Sequence, residues 1–563
     1  MAKPNYSNWD KKDLIKEVEA LKKKKTYGLV WEEDKTKEAF DYYLNWDGTQ
    51  NKETFGEEEG KFPVLQEVKN KSIDNKDPKY NFMIEGDNYH ALAVLNFTHN
   101  KSIDVIYIDP PYNTGNNDFV YNDKMIDKED GFRHSKWLSF MSKRLKLAKD
   151  LLKKEGVMFI SIDDNEVAQL LILCEEIFDR GNTDLMIWDK ITGNTNAGTG
   201  KMKITHRFRK DHEYLVVVYK NKNKTFFNKP LRIKNFKNDY GNPDNDPRGN
   251  WMSCEICKSE EKSNPNGKNY YDIKTTQGKI IKRQWHFSKK EFLELDKDNR
   301  IYWGKGNIIP RLKNFLKEKS PTTPVSILQY IASTTDGNNE IKDLSLKFDN
   351  PKPTELIKYL LEISSKKDSI ILDFFAGSGT TGHSVMKLNK LDGGKRKFIL
   401  CTNNESNNGS GIKIATDVCY PRIKKVIEGY TDNKNKKVEG YKDNFKYFKT
   451  AFVESAPTDQ NKKKIVDKST EMLCIKENAF KPIIDKKGYK VFKNSDIHLG
   501  IIFDDEQIDK FVKEAKNIKG KFHVYVFSFD DSVPKEDFKS MEGRIKLCPI
   551  PEVILHVYRK IFK

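Results

Sequence analysis

The sequence predicts an α/β protein built on an open, largely parallel sheet that a long insert interrupts. Residues 76–184 and 346–430 alternate short apolar strand patterns with amphipathic helix patterns, which is the rhythm of strands joined by crossover helices. Residues 185–345, between these stretches, lose that rhythm and are rich in Lys, Arg, Asn and Gly. Because such a segment is too long for a loop, we expect an inserted domain.

The composition predicts a soluble, globular protein with a polyanionic partner. The 563 residues exceed one ordinary domain, and a hydrophobic content of 37% is enough to build cores. The net charge of +18 favours nucleic acid, because Lys or Arg placed against phosphates releases counterions. A Lys-rich solubilising surface is the alternative. Seven scattered Cys, with no apolar signal core and no membrane-length apolar run, indicate reduced thiols and a cytoplasmic location.

Two strand patterns in the first α/β stretch are nearly continuous apolar runs. Residues 103–108 and 156–162 are expected to be strands buried on both faces, as in parallel sheets. An amphipathic helix pattern from Ser135 to Lys154 joins them. The first run ends at Asp109, so we expect Asp109 at the carboxyl edge of the sheet, where ligands of open α/β folds bind.

The two ends of the chain are predicted to form regions of their own. Residues 1–75 are highly charged, and apolar residues recur at helical spacing between Lys11 and Lys25. We therefore expect a helical N-terminal region that packs on the body of the protein or contributes a dimer contact. Residues 431–563 begin with a polar linker and contain strand patterns of their own, which predicts a small C-terminal α/β domain.

A glycine-rich turn follows the strand pattern of the second α/β stretch and opens a helix. It reads Asp373-Phe374-Phe375-Ala376-Gly377-Ser378-Gly379-Thr380. Such a turn lets a ligand approach the backbone and directs helix N–H groups at it. The glycine spacing fits a dinucleotide fingerprint, an AdoMet turn of the form D-x-F-x-G-x-G, or a purely structural turn. In the AdoMet interpretation, Phe375 lies near the sulfonium cation. A triphosphate loop is discounted, since His383 stands where its Lys is required.

The tetrapeptide Asp109-Pro110-Pro111-Tyr112 follows the first buried strand. Two prolines give a stiff turn, and Pro110 has no N–H, so its carbonyl can be directed outward. An exocyclic amine needs hydrogen-bond acceptors, which the Asp109 carboxylate and the Pro110 carbonyl supply. Tyr112 offers a flat face on which a purine can stack. The alternative is an ordinary Pro-Pro turn, but its combination with the glycine-rich turn favours methyl transfer from AdoMet to an amine.

These motifs and their order resemble the β group of amino-methyltransferases of DNA. In that group the catalytic motif precedes the AdoMet motif, and a target-recognition region lies between them. More narrowly, the chain resembles the modification (Mod) subunit of type III restriction-modification systems over roughly residues 10–563. The segments that carry this resemblance are Asp109-Pro-Pro-Tyr-Asn-Thr-Gly115, Phe119-Val-Tyr-Asn-Asp123, Ser135-Lys-Trp-Leu138 and Phe159-Ile-Ser-Ile-Asp-Asp164.

The resemblance implies a Rossmann-like, AdoMet-dependent sheet that methylates N6 of a flipped-out adenine in double-stranded DNA. It implies catalytic roles for Asp109, Pro110, Pro111 and Tyr112. It implies AdoMet-binding roles for Asp87, Asp109, Lys352, Pro353, Asp373, Phe374, Phe375, Ala376, Gly377, Ser378, Gly379 and Thr380. The acid that contacts the ribose is left open, with Glu405 as a candidate. A Mod homodimer, a helicase-nuclease restriction partner and a prokaryotic, nucleoid-associated location are implied as well.

The insert is predicted to be the target-recognition domain, spanning residues 185–345. Reading a base sequence requires Arg, Asn, Gln and Lys at base edges and cations at phosphates. The insert offers His206–Lys210, Arg232, Arg248, Lys279–Arg283 and Trp285. Cys254 and Cys257 have the spacing of half a zinc site, but no second pair lies nearby, so we predict no metal.

Three other hypotheses stay open at this stage. The first is a standalone or type II enzyme with the same chemistry. The second is methylation of cytosine N4, although that family more often has Ser before Pro-Pro and Asp109 favours adenine. The third is a non-catalytic DNA-binding protein that keeps an AdoMet fold, against which the intact Asp109 and glycine-rich turn argue.

Overall fold

The computed structural model divides the chain into two compact units. One unit comprises residues 1–227 with 325–563, and the other comprises residues 228–324. The residues that the structure describes are 11, 31, 61–75, 80–115, 120–121, 124–126, 129–191, 210–233, 240–304, 309–316, 319–404, 411–454, 458–528 and 533–561.

The larger unit is organised around a ten-stranded mixed sheet. Its strands are, in chain order, β1 (Lys61–Glu67), β2 (Tyr80–Glu85), β3 (Ile103–Ile108), β4 (Leu152–Ile162), β5 (Thr183–Asp189), β6 (His212–Tyr219), β7 (Ile327–Leu328), β8 (Ile370–Asp373), β9 (Lys397–Thr402) and β10 (Asn444–Glu454). Their spatial order is β1-β10-β2-β9-β8-β3-β4-β6-β5-β7. The strands from β10 to β4 in this order run parallel to one another, whereas β1 and β6 are antiparallel to their neighbours β10 and β4.

Helices cover both faces of this sheet, so its central strands are buried on both sides. The helices of the sheet are α1 (Asn88–Thr98), α2 (Arg133–Leu151), α3 (Val167–Phe178), α4 (Thr334–Asp343), α5 (Thr354–Ser364), α6 (Thr380–Asp392) and α7 (Tyr420–Glu428), the last continuing a π-helical turn at Ile414–Cys419. The predicted strand 103–108 coincides with β3, and the predicted strand 156–162 lies within β4. The α/β class is therefore confirmed.

The chain reverses its direction of travel across the sheet between β8 and β3. From β8, the chain passes through α6 to β9 on one side, whereas from β3 it passes through α2 to β4 on the other. Crossover helices then leave these two adjacent strands in opposite directions, which opens a crevice at their carboxyl ends. The turns after β3 and β8 are the acidic Pro-Pro turn at residues 109–112 and the glycine-rich turn at residues 373–380.

The central sheet also contains strands from the predicted insert and from the predicted N-terminal and C-terminal regions. β5 and β6 extend it, so the compact insert begins at residue 228 and not at 185. The reason is the apolar run Leu215–Val218, which needs a sheet on which to be buried. β10 comes from the predicted C-terminal domain and pairs with β1, a strand within the predicted helical N-terminal region. The predicted helix between Lys11 and Lys25 lies outside the described residues, apart from Lys11 itself.

The smaller unit, residues 228–324, contains short strands and one capped helix within its described part. The helix, Lys289–Lys297, begins with a reciprocal capping box between Ser288 and Glu291. Its strands are Leu231–Ile233, Trp251–Cys254, Tyr270–Lys274, Ile280–Gln284, Ile301–Tyr302, Arg311–Phe315 and Lys319–Pro321. A small core of its own contains Ile256, Ile273, Ile281, Trp285, Phe292 and Ile301.

A second sheet follows β10 and packs within the larger unit. Its strands pair in chain order, and they are Lys481–Asp485, Tyr489–Lys493, Ile497–Ile502, Lys521–Phe527 and Ile545–Ile550. Helices α8 (Asp459–Asp467), α9 (Thr470–Glu477), α10 (Ile508–Ala515) and α11 (Glu552–Ile561) accompany it. Two short hairpins, Val120–Tyr121 with Lys124–Met125 and Gly429–Thr431 with Lys437–Glu439, also belong to the larger unit. Among the described residues, no helix is long and apolar enough to cross a membrane.

Candidate active site

The turns after β3 and β8 lie side by side at one edge of the central sheet. The two strands are paired in parallel, with Ile371 opposite Val105 and Leu372 opposite Ile106. Asp109 is the first residue after β3, and Asp373 is the last residue of β8. The parallel pairing thus places both predicted motifs at the crevice where the chain changes the direction in which it crosses the sheet.

The Asp109 carboxylate receives donors from two separate parts of the chain. The Tyr112 hydroxyl lies 3.0 Å from Asp109 Oδ1. The Lys352 ammonium lies 2.9 Å from both Asp109 oxygens. Burial raises the pKa of Asp109, although Lys352 attracts the charged form. Trp137 on α2 donates to the Pro111 carbonyl at 2.8 Å, which fixes the Pro-Pro turn against that helix.

A second buried carboxylate, Glu213 of β6, belongs to the same cluster. Its Oε2 lies 3.0 Å from the Tyr112 hydroxyl and 3.5 Å from the Lys352 ammonium. Its Oε1 accepts from Lys190 at 3.3 Å. Burial opposes ionisation, but the two ammonium groups hold the pKa of Glu213 below its usual range. The cluster therefore balances two carboxylates against two cations, with the Tyr112 hydroxyl between the carboxylates.

The Asp373 carboxyl lies inside the turn that follows it. It accepts from the Phe375 backbone N–H at 3.0 Å and from the Thr381 hydroxyl at 2.5 Å. Burial raises its pKa to about 7. The Phe374 ring is fully buried, and its carbonyl accepts from Asn88 at 2.9 Å. The side chains of Asp373 and Phe374 therefore shape the turn. The Phe375 ring is instead partly exposed and lies beside Phe140, with the two ring centroids 5.8 Å apart.

The glycines of this turn adopt backbone conformations that other residues rarely reach. Gly377 has φ +48° and Gly379 has φ +80°. A Cβ at Gly379 would lie 3.1 Å from Cys419 Sγ, so α6 and the π-helical turn approach closely there. These positions require glycine both for the conformation and for the close approach.

Arg422 of α7 lies directly beneath the glycine-rich turn and is fully buried. It donates to the Ser378 hydroxyl at 3.0 Å and to the Thr380 hydroxyl at 2.9 Å, and it pairs with Glu340 of α4 at 3.1 Å. Thr380 in turn donates to the Lys352 carbonyl at 3.2 Å. The Ser378 and Thr380 side chains thus face inward and connect the turn to the segment that carries Lys352.

Asp87 and Asn88 bring the start of α1 to the same edge. Asp87 caps the helix by accepting from the Tyr89 N–H at 2.7 Å, and it pairs with Arg144 of α2 at 3.3 Å. Asn88 accepts from Arg144 at 2.5 Å while donating to the Phe374 carbonyl. Asn88 thus connects the start of α1 to the glycine-rich turn, because it contacts Phe374, which lies 286 residues further along the chain.

The residues at this edge fit the chemistry of AdoMet. The ligand carries amine and hydroxyl donors, a carboxylate and a sulfonium cation. Against these, the edge presents the carboxylates of Asp87 and Asp109, the ammonium of Lys352 and the partly exposed Phe375 ring. The left-handed conformations of Gly377 and Gly379 set the course of the backbone at this edge. Glu405, the candidate for the ribose contact, lies outside the described residues.

The metal prediction concerns the insert. Cys254 and Cys257 are both free thiols and partly buried. Within the described part of the chain, no group of three or more His, Cys, Asp or Glu side chains is placed to hold a metal ion.

Sequence reasoning missed four polar residues of this cluster, namely Glu213, Lys190, Arg422 and Glu340. Glu213 begins an apolar strand pattern that had been assigned to the insert, so recognising that strand would have moved Glu213 to the sheet edge. Nothing in the local sequence of Arg422 indicates its burial, since its partners come from three other elements.

The acidic Pro-Pro turn and the glycine-rich turn lie side by side at the switch point of an α/β sheet. This arrangement is that of an enzyme that binds its ligand at the edge of the sheet. The family model described as DNA methylase, for N6 and N4 methyltransferases, matches residues 103–407. That match spans more than half of the chain and both turns, so the chain belongs to this DNA methylase family.

Three relatives sharpen this assignment. The chain is 33% identical over 394 residues to the type III restriction-modification enzyme StyLTI Mod subunit of Salmonella typhimurium. This alignment covers 64% of this chain and 59% of that protein. It is 31% identical over 463 residues to the EcoPI Mod subunit of Escherichia phage P1, covering 69% of each. It is also 31% identical over 385 residues to the type II methyltransferase M.KpnI of Klebsiella pneumoniae, covering 63% of this chain and 89% of that one.

Proposed function

We propose that this protein transfers a methyl group from AdoMet to N6 of an adenine in double-stranded DNA. The observation that carries the proposal is the Asp109 carboxylate, which lies at the switch point next to Tyr112 and beside the glycine-rich turn. Membership of the DNA methylase family restricts the target to an exocyclic amine of a base.

Asp109 and Pro110 are proposed to hold the target amine. The carboxylate and the Pro110 carbonyl accept the two N6 hydrogens, so the nitrogen lone pair is turned toward the methyl donor. Tyr112 stacks on the adenine that has left the duplex, and its hydroxyl keeps the ring at a fixed orientation. AdoMet, when bound, supplies a methyl group activated by its sulfonium. Since this group is already activated, positioning by the protein provides much of the rate.

The cofactor is proposed to bind along the edge formed by Asp87, the Asp109 turn and the glycine-rich turn. Asp87, Asp109, Lys352 and Phe375 contribute side chains. Ala376, Gly377 and Gly379 contribute a close backbone surface, and Pro353 precedes α5. Asp373, Phe374, Ser378 and Thr380 act by holding the turn in shape, because their side chains point inward.

We further propose that the chain is the modification subunit of a type III restriction-modification system. Its similarity to two Mod subunits supports this assignment, although the chain spans only 59% of the length of the StyLTI subunit. The compact unit 228–324 would contain the residues that read the target sequence. A second Mod copy and a restriction subunit with helicase and nuclease activities are the proposed partners, in a nucleoid-associated cytoplasmic setting. The similarity to M.KpnI supports a type II enzyme as the second candidate.

Expression in a methylation-deficient host, followed by long-read sequencing and nucleoside mass analysis, tests the chemistry. The wild-type chain should introduce N6-methyladenine at one sequence, and the Asp109→Ala variant should introduce none. Finding only N4-methylcytosine would end the adenine assignment. Equal inactivity of both proteins on every DNA tested would favour a binding protein without catalysis.

A further inference from the structure

The Tyr112 hydroxyl faces two acceptors but has only one hydrogen to donate. Asp109 Oδ1 and Glu213 Oε2 each lie 3.0 Å from the Tyr112 oxygen. A phenol donates one strong hydrogen bond at a time, so its hydrogen has two alternative positions of equal length. In one position it occupies an acceptor site of Asp109, and in the other that site is free.

The Lys352 ammonium is placed between the same two carboxylates. It lies 2.9 Å from both oxygens of Asp109 and 3.5 Å from Glu213 Oε2. A short movement would therefore shift its hydrogen bonds from Asp109 to Glu213 while it stays paired with an anion. An ammonium in a site this buried needs such a partner throughout.

Together these donors compete with the substrate. An ionised carboxylate offers about four lone-pair positions, and Tyr112 with Lys352 takes up to three of those on Asp109. An amine hydrogen of the target base requires one of these positions in good geometry. The Asp109 carboxylate thus has to release donors before it can hold the amine well.

Glu213 is built to receive the released donors. Its Oε1 is anchored by Lys190 at 3.3 Å, whereas its Oε2 faces Tyr112 and Lys352. Its side chain is only 11% exposed, so water does not substitute freely for it. The neighbouring cations keep the pKa of this carboxyl low, and Glu213 therefore remains an anion over the working pH range.

We propose that Glu213 is a positioning residue that draws the Tyr112 hydroxyl and the Lys352 ammonium away from Asp109 when the target amine binds. This inference rests on the proposed amine-methylating function of the site. A purely structural alternative exists, in which Glu213 serves only to neutralise Lys190 and hold β5 against β6.

The first test replaces Glu213 by Gln, which keeps the shape and one carbonyl acceptor but removes the charge that attracts Lys352. We expect kcat for methylation to fall on the order of 10- to 100-fold, because the amine is held in poor geometry. The Kd for AdoMet, measured by calorimetry, should change by less than about threefold. The loss of activity should therefore appear in kcat and not in the KM for AdoMet. Wild-type kcat in the Glu213→Gln variant would overturn the inference.

Glu477→Gln is the matched control. Glu477 is a carboxylate of similar side-chain exposure, 13%, and it accepts from the Tyr525 hydroxyl at 2.6 Å in the C-terminal sheet region. It contacts no residue of the Asp109 cluster among its described partners. The same substitution there should leave kcat at the wild-type value. An equal fall in kcat in both variants would identify a general stability effect and would also overturn the inference.

A double-mutant cycle with Tyr112→Phe separates positioning from structure. Without the hydroxyl, one of the two competing donors is gone. The factor lost through Glu213→Gln should then be smaller than in the wild-type background by more than about threefold. Factors that simply multiply would indicate that Glu213 acts independently of Tyr112 and would contradict the inference.

The wild-type measurement separates failure of this inference from failure of the proposed function. If the wild-type protein methylates no DNA, the proposed function fails before any variant is compared. If the wild-type protein methylates adenine and Glu213→Gln behaves like the control, only the role of Glu213 is wrong.

Discussion

Two neighbouring parallel strands, β3 and β8, both lead into an aspartate at the same edge of the sheet, yet these aspartates have opposite surroundings. Asp109 receives its donors from Tyr112, within its own turn, and from Lys352, 243 residues away. Asp373 receives its donors from Phe375 and Thr381, both within eight residues. Local partners close the Asp373 turn on itself, whereas Asp109 is partly exposed, and a distant cation, Lys352, favours its charged form against the effect of burial.

The difference teaches that strand-end position alone does not assign a role to a carboxylate. Local partners make Asp373 a structural residue of the glycine-rich turn. Long-range partners make Asp109 an acceptor whose partners can be exchanged. The following four variants test this contrast, from the largest expected effect to the smallest.

Asp109→Ala should lower kcat for DNA methylation by at least about 1000-fold, because the amine loses its charged acceptor. Folding should be retained, since Lys352 still has Glu213 as a partner, and AdoMet affinity should fall far less than kcat, because Asp109 is only one of the four side chains proposed at the cofactor. Single-turnover methylation and calorimetric AdoMet binding measure the two quantities. Retention of more than a tenth of the wild-type kcat would remove Asp109 from the centre of the mechanism.

Arg422→Met should destabilise the protein by about 3 kcal/mol, because Glu340 and the two turn hydroxyls lose a buried cation. Denaturant unfolding of the holoprotein provides the measurement. The matched control is Arg559→Met, whose ion pair with Glu552 is 27% and 24% exposed and should be worth less than about 1 kcal/mol. Similar losses in both variants would show that the Arg422 network has no special weight.

Gly379→Ala should cost about 1–2 kcal/mol of stability, since its φ of +80° disfavours any Cβ and Cys419 Sγ leaves little room. AdoMet affinity should fall as well. Gly393→Ala provides the control, because Gly393 has φ +67° but no atom within 4 Å of its added Cβ. Loss of AdoMet affinity in the control, or its retention in Gly379→Ala, would argue against a cofactor role of the turn.

Asp373→Asn should remove one contribution to the pH dependence of stability, and this is the smallest of the four expected effects. Burial raises the pKa of Asp373 to about 7, well above its ordinary value of 3.8, so the folded state binds this proton more tightly than the unfolded state. Wild-type stability should therefore fall, relative to Asp373→Asn, as the pH rises from about 4 to about 7. Calorimetric Tm values at pH 5, 6, 7 and 8 measure this difference, which corresponds to at most about 1.4 kcal/mol of stability per pH unit. A constant difference in Tm across this range would refute the raised pKa.

The sequence was sufficient for features that depend on neighbours along the chain. The apolar run ending at Asp109 predicted β3, and the strand pattern before the glycine-rich turn predicted β8, because a buried parallel strand needs a continuous apolar segment. The domain boundaries were harder, since β5 and β6 join the central sheet in antiparallel fashion from within the predicted insert. Strand pairing of this kind depends on which sheet edge is free, and no local pattern records that.

What the sequence by itself determined was the class of fold, the two strand-end turns and the acidic Pro-Pro motif that places an acceptor at the sheet edge. Only the tertiary structure decided which groups surround that acceptor. Glu213 and Lys352 lie 104 and 243 residues from Asp109, and Arg422 reaches the glycine-rich turn from another helix. The physical reason is that turn geometry follows from adjacent residues, whereas the charge balance of a buried site depends on strand order and packing.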